Sequence, residues 1–234
     1  MVVFRVRLLP NVAIQLIPPS GGSQVLSDSM ATYINQRNRG GLQLGMRVTS
    51  IVPTDPTQSS PLNVVIAGKN SRTYSHIIST LPLNCLRALD ISQCGLTLKQ
   101  SNALRELQYR PATKIGIRFK TAWWTEGDIK IVGGQSLTDR HIRNVVYPSC
   151  NDGNSRVLVA SYCWSDDAER LGALMGTGKA SEEQLKAIVL RDLAALHDVT
   201  VDFLEQNLMD IHSYDWNRDP LAMGTLPCFR CQTD

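Results

Sequence analysis

The chain has 234 residues, of which 43% are hydrophobic and 19% are charged, and its formal net charge is +3. This composition is typical of a globular protein with one large or two small domains. The charge is too small to favour nucleic acid or an anionic membrane as a partner, and no apolar run is long enough to span a bilayer. Cys228 and Cys231 have a CxxC spacing, but no second pair or histidine cluster completes a zinc site, so no metal is expected.

The first third of the sequence predicts one short helix and three strands. A proline and glycine cluster at residues 18–22 precedes a helix predicted at residues 25–34, whose apolar face comprises Leu26, Met30, Tyr33 and Ile34. Strands are predicted at residues 47–52, 62–67 and 74–81. The third is almost continuously apolar, which is typical of a buried strand, and Pro82 ends it.

The region from Leu83 onward predicts an antiparallel sheet with helices beside it. Thr97 and Gln100 form a capping box before the first of these helices. Glycine-containing turns separate several of the predicted strands and favour antiparallel pairing. These strands are predicted at residues 113–120, 129–132, 143–147, 156–164 and 211–216.

A longer helix is predicted to begin at a second capping box, formed by Ser181 and Gln184, and to end at His197. Packing accounts for its apolar stripe, which therefore carries no functional prediction. The stripe consists of Leu185, Ile188, Val189, Leu193 and Leu196. A short helix is predicted at Val201–Asn207.

Lys114 lies in the segment around which the rest of the chain is organised, YRPATKIGIRFKTAWW at residues 109–124. Strand alternation separates Ile115, Ile117 and Phe119 on one face from Gly116, Arg118 and Lys120 on the other. A cation that enters an apolar strand beside large aromatic side chains would be tuned by desolvation and by a nearby ring. The alternative is a solvated lysine at a strand end, since most lysines are exposed.

Other motifs favour ordinary structural roles. The GTGK sequence at residues 176–179 lacks the first glycine and the Ser/Thr of a phosphate-binding loop, so we interpret it as the loop before the longer helix. Asp166 and Asp167 are adjacent, which favours a turn or a helix start over a catalytic pair. The four histidines show no metal-ligand spacing, and each is interpreted as satisfied or exposed.

Tyr162 and Trp164 lie two residues apart in a predicted strand and therefore share one of its faces. A phenol and an indole on one face can form a pocket wall that contains a hydrogen-bond donor. Core packing explains the same pair equally well, and the two interpretations stay open on the residues alone.

Five segments, taken in order, resemble the flavin-containing amine oxidases and most of all the L-amino-acid oxidases among them. They are QYRPATKIGIRFKTAWW, IVGGQSLTD, VVYPS, RVLVASYCWSDDAERLGAL and HSYDWNRDPLAMG. Upstream, GGSQVLSDSM, RVTSIVP and IISTLPLNCLRALD resemble parts of the family's flavin domain. The resemblance covers residues 21–224, and the shared order of so many segments makes it specific.

This resemblance implies FAD as the cofactor, gives roles to four residues and matches the position of a fifth. Lys114 matches the catalytic lysine that holds a water at flavin N5. Tyr162 matches the tyrosine that hydrogen-bonds the substrate carboxylate, and Trp164 matches a position in the side-chain pocket. Val48 matches the valine whose backbone contacts the FAD adenine. Trp124 matches an aromatic position just beyond the lysine strand.

The implied reaction is hydride transfer from the Cα of an L-amino acid to flavin, followed by hydrolysis of the imine to a 2-oxo acid and ammonia. Oxygen then takes up the electrons and becomes hydrogen peroxide, so the implied partners are a small amino acid or amine and molecular oxygen. A monoamine or polyamine oxidase is the alternative within the family. The Tyr162 hydroxyl favours amino acids, because an amine would leave this group without a carboxylate partner.

The resemblance also implies that several family features lie outside this sequence, namely the glycine-rich pyrophosphate turn, the carboxylate-binding arginine and the C-terminal flavin segment. We therefore expect an internal fragment with an α+β fold. Residues 1–82 would form part of an FAD-binding domain, an incomplete α/β unit. Residues 83–222 would form a substrate domain with an antiparallel sheet flanked by helices, and residues 223–234 an aberrant tail. A non-catalytic fragment that does not bind FAD is a second alternative, and a homo-oligomeric full-length protein is left open.

Overall fold

The structure is a computed structural model that describes residues 23–38, 40–55, 61–127, 130–149, 155–225 and 227–228. The chain divides into two compact units, Met1–Leu44 and Gly45–Asp234. The second unit combines helices with antiparallel sheets, which confirms the predicted α+β class. The domain limits predicted at residues 82 and 222 stay predictions.

The first unit contains one described helix, α1, at Gln24–Arg37. This confirms the helix predicted at residues 25–34. The helix buries none of its side chains, and its predicted apolar face is exposed at Leu26, Met30, Tyr33 and Ile34. The guanidinium of Arg37 lies 4.4 Å from the centre of the Tyr33 ring, so part of this face is covered by the helix's own last turn.

A three-stranded antiparallel sheet opens the second unit, in the order β1-β2-β3. Its strands are β1 at Val48–Pro53, β2 at Leu62–Ile66 and β3 at Arg72–Tyr74. The first two agree with the predicted strands. Ile51, Val64 and Ile66 supply the buried side chains of this sheet.

The prediction of a buried strand at residues 74–81 is wrong. Residues 75–82 form neither helix nor strand, and 90% of Ile78 is exposed. An apolar run becomes a buried strand only where neighbouring strands satisfy its backbone, and no described strand pairs with this segment. The local sequence has the composition of a strand, but a strand also needs neighbouring strands to pair with.

The core of the second unit is a five-stranded antiparallel sheet in the order β6-β7-β8-β5-β9. This confirms the predicted antiparallel sheet, with β5 between β8 and the edge strand β9. Its strands are β5 at Ala112–Phe119, β6 at Gln135–Leu137, β7 at Asn144–Val146, β8 at Val157–Trp164 and β9 at Leu208–Asp215. A separate two-residue ladder joins β4, Gln108–Tyr109, to β10, Pro227–Cys228.

The strand predicted at residues 129–132 is not found. Ile129 lies outside the described residues, and residues 130–132 are not in a strand. The strand that does form, β6, begins after Gly133 and Gly134, which both have positive φ. These glycines make the turn before β6 and not a turn after an earlier strand, so the sequence pattern placed the strand on the wrong side of them.

The described part of this unit contains five α-helices. They are α2 at Leu83–Arg87, α3 at Leu98–Glu106, α4 at Ser165–Gly172, α5 at Lys179–His197 and α6 at Val201–Asn207. The two predicted capping boxes have opposite outcomes. Thr97 and Gln100 form both hydrogen bonds of the capping box before α3. Helix α5 instead begins at Lys179 with Gly178 as its N-cap, so Ser181 lies inside its first turn. Gly178 adopts a φ of 123°, a backbone turn that lets the helix start early.

The buried face of the five-stranded sheet packs against the apolar stripe of α5. Leu185, Val189 and Leu193 are buried there, and Ile188 and Leu196 are partly buried against the same core, which confirms the predicted stripe. On the sheet side the core contains Ile115, Ile117, Phe119 and Leu158, together with Trp123 and Trp124. The two indoles lie in a 3-10 turn at Trp123–Thr125 and contact the Phe119 ring edge-on, with centres 5.7 and 5.9 Å away.

A partly buried hydrogen-bond chain ties the end of α5 to the sheet. His197 Nδ1 donates to the Leu193 carbonyl at 2.8 Å, so its Nε2 accepts from the Tyr147 hydroxyl at 2.5 Å. Ser136 lies 2.9 Å from the same hydroxyl. Burial lowers the pKa of His197 and raises the pKa of Tyr147, which favours the neutral form of both groups.

We predict that the two apolar segments differ sharply in their contribution to stability. Leu193→Ala removes a fully buried side chain, so the free energy of unfolding should fall by about 2–5 kcal/mol. Ile78→Ala removes an exposed side chain and should change it by less than about 0.5 kcal/mol. Urea unfolding followed by circular dichroism measures both. A large loss for Ile78→Ala would show that residues 75–82 are buried after all.

We also predict a specific acid sensitivity. The folded-state pKa of His197 lies below its ordinary value of 6.5, so the unfolded chain binds more protons as the pH falls below that value. The stabilising effect of neutral His197 is present above that pH and is lost as the pH falls toward the folded-state pKa. His197→Gln should flatten this part of the stability profile, whereas His212→Gln, at an exposed position, should not. Urea unfolding across this range tests the difference, and identical profiles would contradict it.

Candidate functional site

The face of the five-stranded sheet opposite the core carries three of the four predicted site residues. Ile115, Ile117 and Phe119 point from β5 into the core, and Lys114 points to the other face, here called the open face. Lys114 pairs with Tyr162 of β8 on one side and with Tyr214 of β9 on the other. Directly paired residues of an antiparallel ladder share a face, so the three side chains form one row.

The two tyrosines of this row belong to a group of four aromatic residues, here called the aromatic cluster: Tyr162, Trp164, Tyr214 and Trp216. The centres of the Tyr162 and Trp164 rings are 4.7 Å apart, and those of Tyr214 and Trp216 are 4.9 Å apart. Tyr162 and Trp216 link the two pairs with centres 6.5 Å apart. Contacts of this kind favour tilted and edge-on packing, which the cluster shows.

The ammonium of Lys114 lies against two rings of the cluster. Its Nζ is 4.7 Å from the centre of the Tyr162 ring and 5.5 Å from that of Trp216. It makes no ion pair or hydrogen bond with any residue in the part of the chain that the structure describes. The Lys114 side chain is half-buried. Its N–H donors are therefore available to a ligand.

A cavity of about 500 Å³ borders Lys114 on this face. Tyr214 and Trp216 form its aromatic end, and Arg118, Asp210 and His212 form a polar end farther along the strands. A pocket with apolar walls and a few convergent polar groups is typical of small-molecule sites. The open face therefore has the shape and chemistry of a binding surface.

The two tyrosines in the row differ in their hydrogen bonding. The Tyr214 hydroxyl donates to the Asp219 carboxylate, and this hydrogen bond raises the pKa of Tyr214 and lowers that of Asp219. The Tyr162 hydroxyl has no partner among the described residues. Of the two hydroxyls, that of Tyr162 is thus the unpaired one in the described ranges, and its contact with a substrate carboxylate stays a prediction.

Val48 belongs to a different sheet from Lys114, Tyr162 and Trp164. It begins β1, pairs with Ile66, and lies beside a register shift between Val48 and Ser50. The structure thus brings three predicted site residues together and places the fourth elsewhere in the same unit. Their individual roles stay predictions.

Tyr214 and Trp216 were missed as site residues by the sequence analysis. The signal was available, because the two aromatic residues in SYDW alternate in the same way as Tyr162 and Trp164. Alternation shows that two residues share a face, but not which strand lies beside them. Only the pairing of β5 with β9 places Trp216 next to Lys114.

The adjacent aspartates have the structural role that was predicted for them, a helix start. Asp166 and Asp167 lie in the first turn of α4, where Asp167 pairs with Arg143 at 3.1 Å and Arg170 at 2.9 Å. The described residues contain no group of three or more His, Cys, Asp or Glu side chains that could hold a metal. In the CxxC pair, the Cys228 side chain and Cys231 lie outside the described part. No helix in the described ranges is both long and apolar enough to cross a membrane.

One protein family matches almost the whole length of this chain. Residues 5–233 match the flavin containing amine oxidoreductase family, and the chain belongs to this family. FAD is the family's cofactor, which confirms both the predicted cofactor and the predicted oxidoreductase class.

Several relatives are L-amino-acid oxidases. L-amino-acid oxidase 4 of Hebeloma cylindrosporum is 48% identical over 219 residues, which cover 89% of this chain and 35% of that protein. The L-amino-acid oxidase of Mus musculus is 37% identical over 204 residues, which cover 87% of this chain and 30% of that protein. The chain thus spans about a third of the length of these relatives.

Solved structures confirm the fold. A redesigned putrescine oxidase superposes with a TM-score of 0.69 at 18% identity, over 89% of this chain and 42% of that one. At this level of identity the similarity establishes the architecture alone.

We predict that Lys114 contributes little to stability. With the residues that the structure describes, its ammonium forms only cation–π contacts, so Lys114→Met should change the free energy of unfolding by less than about 1 kcal/mol. Ile117→Ala, three residues along the same strand, should cost about 2–5 kcal/mol because Ile117 is fully buried. Thermal and urea unfolding measure both variants. Equal losses would mean that Lys114 is a structural residue.

Proposed function

We propose that this chain forms the substrate-facing part of an FAD-dependent oxidase of L-amino acids, which yields a 2-oxo acid, ammonia and hydrogen peroxide. The observation that carries the proposal is the pairing of Lys114 with Tyr162 on the open face, with the ammonium 4.7 Å from the phenol ring. Neither the Lys114 ammonium nor the Tyr162 hydroxyl has a hydrogen-bond partner among the described residues. The names of the relatives support an amino acid as substrate.

The residues present fit a flavin. A half-buried ammonium with unused N–H donors, beside aromatic walls, suits the polar edge of a planar heterocycle. Lys114 and the aromatic cluster would border the ring system, and the Val48 backbone would meet the adenine. When bound, the flavin supplies the ability to accept a hydride and pass electrons to oxygen.

The chain's own groups divide the remaining tasks. The Tyr162 hydroxyl donates a hydrogen bond to the substrate carboxylate, which restricts the orientation of the Cα–H bond. Trp164 gives the side-chain pocket an apolar wall. Lys114 Nζ holds a water by donating a hydrogen bond to it and places a positive charge where reduced oxygen acquires negative charge.

Charge also favours an amino acid over a simple amine. A protonated amine brings only a second cation toward Lys114, which is unfavourable at short range. An amino acid brings a carboxylate as well, and the carboxylate gives both Lys114 and Tyr162 a partner. A monoamine or polyamine oxidase is the second candidate, and the fold shared with putrescine oxidase is compatible with it.

The test is a chimera in which this chain replaces the matching 219 residues of the Hebeloma enzyme, to which it is 48% identical. We expect the chimera to release hydrogen peroxide with L-amino acids and not with putrescine or benzylamine. A peroxidase-coupled assay over both substrate classes measures this. Activity with amines alone would replace the proposal by the second candidate.

Two variants of the chimera test the individual roles. Lys114→Met should slow the reaction with oxygen on the order of tenfold to a thousandfold, because one preorganised charge is removed. Tyr162→Phe should mainly raise the KM for amino acids, because a charged hydrogen bond of about 1.5–3 kcal/mol is lost. Stopped-flow absorbance separates the two half-reactions.

The controls make the same changes at exposed positions. Lys120→Met removes an ammonium just beyond the end of β5, and Tyr74→Phe removes a hydroxyl in the three-stranded sheet. Neither should affect either half-reaction. If Lys114→Met behaves like Lys120→Met, the role proposed for Lys114 is wrong. If Tyr162→Phe behaves like Tyr74→Phe, the role proposed for Tyr162 is wrong.

A further inference from the structure

Trp216 lies immediately after β9 in a tightly held backbone. Its N–H donates to the Ala112 carbonyl at 3.1 Å, and its carbonyl accepts from the Gly224 N–H at 2.8 Å. Gly224 has a φ of 117°, and a Cβ at this position would lie 2.8 Å from the Cβ of Tyr109. Only glycine fits such a conformation and approach, so the turn that returns to Trp216 is specified locally.

The Trp216 side chain is supported as well. Its ring lies 4.9 Å from the Tyr214 ring at an interplanar angle of 69°, and the Tyr214 hydroxyl is held by Asp219. Asp219 also accepts from the N–H of Leu221 at 2.8 Å, so the support extends into the turn after β9. The indole therefore has a fixed position on the open face.

Lys114 has no such support of its own. Lysine has a long flexible stem, and no carboxylate or carbonyl in the described residues anchors its ammonium. Within the described ranges, its partners are the faces of Tyr162 and Trp216 alone. A cation over an aromatic face is attracted by the ring's electrons. The position of the ammonium thus depends on two rings from the two neighbouring strands.

We propose that Trp216 is a positioning residue that holds the Lys114 ammonium on the open face, as the second wall opposite Tyr162. The effect of this positioning on the reaction with oxygen rests on the function proposed above, whereas the position of the ammonium itself does not. Trp164 provides a matched comparison. It is also an indole of the aromatic cluster, but it contacts Tyr162 and not the lysine.

The structural test uses the full 234-residue chain with its lysines labelled by ¹³C reductive methylation, which preserves their charge. Aromatic ring currents should displace the methyl resonance of Lys114 upfield of the methyl resonances of the other lysines. The signal that disappears in Lys114→Arg is assigned to Lys114. Trp216→Met should remove most of this displacement. Trp164→Met should leave most of it, and Trp216→Phe should restore part of it.

An unchanged Lys114 resonance in Trp216→Met would overturn the proposal. Far-UV circular dichroism and the dispersion of the other methyl signals report whether each variant is folded. If Trp216→Met does not fold, Trp216→Phe decides, since the smaller ring should reduce the displacement. If the Lys114 methyl resonance of Trp216→Phe is displaced as far as that of the unsubstituted chain, the proposal is overturned.

The enzymatic test uses the chimera. Trp216→Met should slow the reaction with oxygen about fivefold, which corresponds to a cation–π contact of about 1 kcal/mol, and less than Lys114→Met does. Trp216→Phe should recover part of the loss. One outcome separates the two proposals: Trp216→Met shifts the Lys114 methyl resonance, while neither Lys114→Met nor Trp216→Met affects the oxygen reaction. In that case the role proposed for Lys114 fails and its positioning by Trp216 stands.

Discussion

The register of β5 between β8 and β9 places Lys114 opposite Tyr162 and Tyr214, and the rest of the site depends on it. Side chains alternate between the two faces of a strand, so a slip by one residue would turn Lys114 into the core and expose its apolar neighbours. The buried face resists such a slip, because Ile115 and Ile117 are fully enclosed. Core packing therefore fixes the position of a residue that lies outside the core.

The two faces of the sheet show how stability and function are separated. On the buried face, apolar side chains pack against α5, and the thiol of Cys163, whose pKa burial raises to about 11, contacts the Ser161 hydroxyl. On the open face, Lys114 and Tyr162 keep polar groups without partners in the described residues. Such groups add little to stability, and their presence on a rigid sheet is typical of residues positioned for a ligand.

Other surfaces of the chain are patterned for burial but are exposed. The apolar face of α1 and the segment at residues 75–82 both have this property. Both lie in parts of the sequence that resemble the flavin domain, whereas the well-packed core lies in the part that resembles the substrate domain. The open face belongs to this well-packed part, which explains why its residues have a defined geometry.

The sequence by itself determined most of the features that depend on near neighbours, although the capping box predicted at Ser181 did not form. The capping box at Thr97, the alternation of β5 and the stripe of α5 each involve residues a few positions apart, and all three are present. The resemblance carried by ordered segments also identified the family and its cofactor. The strand at residues 74–81 failed because a strand needs partners from elsewhere in the chain. Tertiary structure alone decided that Trp216 stands beside Lys114, because strand pairing joins residues about a hundred positions apart and alternation carries no information about which strands pair.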